Sequence, residues 1–97
     1  MECCEKTKKN PRSQEEKDSI IKRLNRISGQ INGVSRMIEE DRYCRDVLIQ
    51  ITAIQAALKE VGYIVLEDHM LSCVSDDIKN NDNSSLKEAL EISKKLK

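Results

Sequence analysis

An all-α fold, a long antiparallel helix hairpin followed by a short C-terminal helix, is predicted by three observations. First, apolar residues recur at alternating spacings of four and three through Ile20, Leu24, Ile27, Ile31, Val34 and Ile38. The same rhythm returns through Val47, Ile51, Ile54, Leu58, Val61 and Val65. That is the period of a helix seam, not the alternation of a strand. Second, Ser13-Gln14-Glu15-Glu16 and Ser85-Leu86-Lys87-Glu88 both fit a capping box, in which a serine and the glutamate three residues on satisfy helix-start amides reciprocally. Third, no strand pattern, P-loop or dinucleotide fingerprint occurs anywhere in the 97 residues.

Taken in order, residues 1–13 are polar, aperiodic and contain the one proline, so they predict a flexible tail carrying Cys3 and Cys4. Residues 14–97 predict a single helical domain. Its first helix spans about 14–40. Gly29 and Gly33 weaken it by about 1 kcal/mol each relative to alanine, which close packing of another helix, or a kink, would explain. Asp41 is placed to cap a second helix that begins near Arg42 and reaches about residue 79. Only Gly62 interrupts its propensity. Asn80-Asn81-Asp82-Asn83-Ser84 is a turn. Leu86, Ala89, Leu90 and Leu96 then mark the third helix, whose C-terminal dipole suits Lys94, Lys95 and Lys97.

A chain this small, without Trp or Phe and with two Tyr, has little material for a core of its own and completes it by oligomerising. The N-terminus lacks a signal-peptide core and no uninterrupted apolar run reaches 18 residues, which predicts a cytoplasmic protein with no membrane role. Thiols stay reduced there, so four cysteines read as ligands or reactive groups and not as a disulfide framework. Net charge is zero, with 17 basic and 17 acidic residues, but they are unevenly placed. From Lys17 to Arg36, five basic residues (Lys17, Lys22, Arg23, Arg26, Arg36) face one acid, Asp18. The first helix therefore carries a local positive field. A charged helix face is commonly just solvated, and nucleic acid is the functional alternative.

Cys44, His69 and Cys73 are the candidate site. His69 and Cys73 stand four apart and share one helix face. Cys44 lies 25 residues before His69, roughly 37 Å away along a continuous helix. The three can share an ion only if a second copy of the helix runs antiparallel beside the first, which makes the site intersubunit. In that arrangement the twofold centre falls between Ala57 and Leu58, where Ala53, Ala56 and Ala57 let backbones approach. Inert buried cysteines and a satisfied histidine are the competing reading. Two thiolates and one imidazole form a soft set. Structural Zn(II) wants a fourth ligand, whereas Cu(I) accepts two or three soft ones. Cys3 and Cys4 on the tail read as bystanders or scavengers, with extra sulfur ligation as the alternative.

The segment Arg23-Leu24-Asn25-Arg26-Ile27-Ser28-Gly29-Gln30-Ile31-Asn32-Gly33-Val34, with Arg36-Met37-Ile38-Glu39-Glu40 and Tyr43-Cys44, resembles the signature of the CsoR family of bacterial copper-sensing operon repressors. Val47 to Ala53 and Leu66-Glu67-Asp68-His69 continue the resemblance, which covers about residues 17–96. It implies a three-helix protomer, an antiparallel dimer assembling to a tetramer, and a metal site bridging subunits. It also implies that the metal-free protein holds operator DNA and that Cu(I) releases it, so that efflux genes are expressed. Carried onto this chain, Cys44 of one subunit with His69 and Cys73 of the other would bind Cu(I). Tyr43 and Glu88 match positions that support the histidine and link it to the third helix. For Glu88 a capping role competes, and for Tyr43 simple packing. The nickel-sensing branch has a histidine where this chain has Arg12, and His69 is the only histidine here.

The predicted function is therefore a Cu(I)-responsive repressor, not an enzyme, with operator DNA and further copies of itself as partners and no small-molecule substrate. Lys22, Arg23, Arg26 and Arg36, with Lys59, are the candidate DNA contacts, mostly to phosphates. The rival readings are a repressor triggered by persulfide chemistry at Cys44 and Cys73, and a copper-buffering protein without DNA binding. A thiol enzyme would need an oxyanion device that cannot be read here.

Overall fold

A computed structural model of the chain describes residues 12–97, and among these there are helices and turns only. Cys3 and Cys4 lie outside the described residues, as does the side chain of Cys73. Helix α1 spans Gln14–Glu39 and α2 spans Cys44–His69. A π-helical segment, Met70–Val74, continues into α3, Ser75–Lys79, so that one helical rod extends over Cys44–Lys79. After a turn, α4 covers Ser84–Lys95.

The chain divides into two compact units, one of which is Gln14–Val61. Here α1 and the first part of α2 form a hairpin around Ile27, Ile54 and Val61, with Ile20, Val34 and Ala57 packed against them. Each predicted seam splits into two heptad columns. Ile20, Ile27 and Val34 on α1, and Val47, Ile54 and Val61 on α2, are buried or half-buried. The alternate column of α1, Leu24, Ile31 and Ile38, stays 41–60% exposed, and Ile51 and Leu58 on α2 stay 37% and 45% exposed. One copy thus covers half of its own apolar repeat. Ala57 packs inside the hairpin, so only Ala53 and Ala56 remain outward at the predicted twofold centre. Neither Gly29 nor Gly33 is closely approached: a Cβ on Gly29 would meet nothing within 4 Å. Within the chain the expected helix packing at these two positions does not occur, and α1 runs through them unbroken.

The α1–α2 turn corrects one expectation. Asp41 does not cap α2; it has φ 52° and closes α1. Arg42 N donates to Met37 O at 2.9 Å and Asp41 N to Ile38 O at 3.1 Å, the paired bonds of a Schellman motif. Aspartate tolerates the left-handed conformation almost as asparagine does, which is why an N-cap residue type ends a helix here. The first turn of α2 is held instead by the Tyr43 carbonyl, which accepts from Asp46 N and Val47 N.

The second unit comprises Gly62–Lys97, with Arg12 and Ser13. The same closure recurs at Asn81, φ 60°, where Asp82 N donates to Asp77 O at 2.8 Å and Asn81 N to Ile78 O at 3.0 Å. The second capping box is also corrected. Helix α4 starts one residue earlier than Ser85, and the carboxylate of Asp82 accepts from Ser84 N and Ser84 Oγ. Ser85 is buried inside the unit, where its Oγ donates to Asp77 Oδ2 at 2.6 Å. Val74 and Ala89 are the apolar residues buried beside this bond. Gly62 has a structural reason: a Cβ there would lie 2.7 Å from Leu96 Cδ2, so the C-terminal leucine packs onto bare backbone.

The rod is apolar enough, by length and composition alone, to cross a membrane: an 18-residue window has mean hydropathy 1.3. Gln50, Thr52, Gln55, Lys59 and Glu60 break the apolar run without bringing the mean of that window below 1.3. A helix apolar on several faces is equally what a bundle of several copies requires.

Candidate metal and nucleic-acid sites

Cys44 and His69 are the first and last residues of α2. Cys44 begins the helix as an exposed thiol outside any disulfide. It occupies the same heptad column as Ile51 and Leu58, the column that the hairpin leaves uncovered. The thiol and the outward apolar stripe are therefore displayed together. His69 is the opposite case, 3% exposed, and belongs to the second unit. The π-helical segment begins immediately after it and holds the backbone of Cys73. An extra residue in a turn widens a helix locally, and such segments recur at functional sites. Nothing in the heptad pattern signalled it.

Among the described residues, no three His, Cys, Asp or Glu side chains converge on a point that could hold a metal. A single copy thus brings no complete ligand set together from Cys44, His69 and their described neighbours. Of the two supporting positions, Tyr43 stands 70% exposed in the turn before α2. Glu88 is half-buried on α4, in the same unit as His69, and not at the helix start where a capping box would put it.

A contact invisible to local pattern sits next to the histidine. Arg12 Nη2 pairs with Asp68 Oδ2 at 3.2 Å, and their side chains are only 23% and 26% exposed. Residues 56 apart in sequence meet here, and no periodicity could have found them.

Of the candidate DNA contacts, the structure brings Lys22, Arg23 and Arg26 together, lining a shallow concavity on α1 with Ser19. Arg36 and Lys59 do not line it. Arg23 is partly committed, because its Nη1 donates to Glu60 Oε1 at 3.0 Å. Both partners are well exposed, so the pair contributes at most about 1 kcal/mol and can be exchanged for a phosphate. Lys22 and Arg26 are four apart on one face and give the concavity its charge.

An all-helical chain with a displayed thiol, a buried imidazole at the far end of the same helix, and a cationic cleft on its partner helix has the parts of a metal-responsive nucleic-acid binder. Residues 16–95 match the family described as metal-sensitive transcriptional repressors. The copper-sensing transcriptional repressor CsoR of Bacillus subtilis is 49% identical over 88 residues, covering 90% of this chain and 87% of that protein. The crystal structure of the copper-sensing repressor CsoR with Cu(I) from Geobacillus thermodenitrificans superposes with TM-score 0.82 at 47% identity, over 89% of this chain and 91% of that one. The nickel-responsive transcriptional regulator InrS superposes at 0.71 and 36% identity, over 91% of this chain and all of that one. The chain belongs to the metal-sensitive transcriptional repressor family.

Proposed function

We propose that this protein is a copper(I)-responsive transcriptional repressor, holding operator DNA when metal-free and releasing it on binding Cu(I), so that copper efflux genes are expressed. The observation that carries the metal is the donor set. Both copper-sensing and nickel-responsive relatives share this fold, so the fold alone does not choose between them. The chain has one histidine and soft thiolates, whereas Ni(II) favours several nitrogen or oxygen donors and structural Zn(II) a fourth ligand. Cys44 of one subunit with His69 and Cys73 of another would hold the ion. Their deprotonated sulfurs supply strong soft donors, and the buried imidazole is already ordered.

The partner is a second copy, as a homodimer or homotetramer. The uncovered columns of α1 and α2 need such a partner, and Cys44 lies on the same stripe as the α2 column. Residues 14–97 act as one helical domain of a cytoplasmic protein, with no small-molecule substrate and no membrane role. Lys22, Arg23 and Arg26, with Arg36 and Lys59 at the margins, contact operator phosphates. Tyr43 and Glu88 flank the metal ligands, Glu88 relaying the state of His69 into α4. Because metal and operator favour different arrangements of one assembly, each weakens the other by the same coupling free energy.

The test is an operator-binding titration of the reduced protein with Cu(I), Zn(II), Ni(II) and an inorganic persulfide. Release by Cu(I) at the lowest concentration, about one ion per subunit, is expected. Release by persulfide alone would replace copper with sulfur chemistry as the trigger. No salt-sensitive operator binding would leave only copper buffering.

A further inference from the structure

We propose that Arg12 sets the metal preference of the His69 site by cancelling the charge of Asp68, disfavouring dications relative to a monocation. The inference rests on the copper reading above. Asp68 directly precedes His69 in the last turn of α2, with its Cα about 3.8 Å from that of the histidine, so its carboxylate stands on the order of 10 Å from an ion held by the imidazole. Left alone, that negative charge would draw cations to the site. Arg12 Nη2 stands 3.2 Å from Asp68 Oδ2, and with about a quarter of each side chain exposed the pair is not a freely solvated one. The pair is close to neutral as seen from the ring.

Charge magnitude decides the consequence. At such a separation, with the intermediate screening of a half-buried site, a unit charge is worth about tenfold in affinity for a monocation. Coulomb energy scales with the charge of the ion, so the same unit is worth about a hundredfold for a dication. Removing the guanidinium therefore favours Zn(II) over Cu(I) by about tenfold, and removing the carboxylate does the reverse. The π segment adjoining His69 carries no competing cation, since Met70–Val74 is MLSCV. Farther along, Asp76 and Asp77 add negative charge, and Arg12 is a cation that pairs with the residue next to the histidine.

Four reduced proteins test this: wild type, Arg12→Gln, Asp68→Asn and the double variant, each titrated with Cu(I) and with Zn(II) against a colorimetric chelator. Helicity by circular dichroism and the Arg12→Lys variant, expected to behave as wild type, control for a merely structural anchor. The Zn(II)/Cu(I) affinity ratio should rise about tenfold in Arg12→Gln, fall about tenfold in Asp68→Asn, and return near the wild-type value in the double variant. If wild type takes up Cu(I) but all four proteins share one ratio, the role of Arg12 is overturned while the copper reading stands. If wild type takes up no Cu(I), the copper reading fails and this inference with it.

Discussion

Replacing Ser85 by alanine should loosen α4 from the helical rod. Ser85 Oγ donates to Asp77 Oδ2 at 2.6 Å, the length of a hydroxyl bound to a carboxylate, and both residues are buried, at 1% and 5% exposure. Water cannot substitute for the lost donor at such a site. A hydrogen bond to a charged group is worth about 1.5–3 kcal/mol, and leaving the acceptor buried forfeits most of it. For a domain of this size each kcal/mol moves the melting temperature by about 4–8 °C, so a fall of about 10 °C is expected. The assay is thermal and urea unfolding of reduced, metal-free protein by circular dichroism, at one fixed concentration because assembly contributes to stability. Ser84→Ala is the matched control: that hydroxyl donates to Asp82 from an exposed position and should cost under about 0.5 kcal/mol. If Ser85→Ala is no more destabilising than Ser84→Ala, the buried pair does not hold α4 and the reasoning fails.

Other perturbations separate the parts of the account. Arg26→Ala should weaken operator binding on the order of tenfold and reduce the salt-dependence slope by about 0.9, with Cu(I) affinity unchanged in chelator competition. Arg26 is the cleaner choice than Arg23, whose removal also breaks the bond to Glu60. Leu58→Glu removes about half a leucine's burial from each copy and places a charge in the interface. It should raise the dimer dissociation constant on the order of 100-fold, about 2–3 kcal/mol, by sedimentation equilibrium, without loss of helicity. Gly29→Ala meets no atom within 4 Å and should stabilise the protein by about 0.5–1 kcal/mol in urea; destabilisation would mean that another chain packs there.

The heptad seams made both long helices legible, because a 3.5-residue period leaves little alternative over six repeating positions. Which column turns inward was not legible. Leu24 and Ile27 are equally apolar, and only the register against α2 decides that Ile27 is buried while Leu24 is not. The helix ends were misread where one residue type serves two roles. Asp41 and Ser85 are good N-cap residues, yet one adopts a left-handed closing turn and the other serves as a buried donor. The π segment after His69 has no compositional mark, and the Arg12–Asp68 pair joins distant residues. Of the candidate site, the residue types and their spacing were readable; the burial of the imidazole and the display of Cys44 required the fold.

The central claim, a Cu(I) site built from two subunits, is tested most directly by complementation between two inactive variants. Neither Cys44→Ser nor His69→Ala should bind Cu(I) tightly as a homodimer. In a mixed dimer, the intact Cys44 of the His69→Ala subunit meets the intact His69 and Cys73 of the Cys44→Ser subunit, restoring one site. Chelator competition on the co-refolded mixture should show tight Cu(I) uptake reaching up to one ion per mixed dimer. Uptake no greater than the average of the two separate variants would contradict a site shared between subunits.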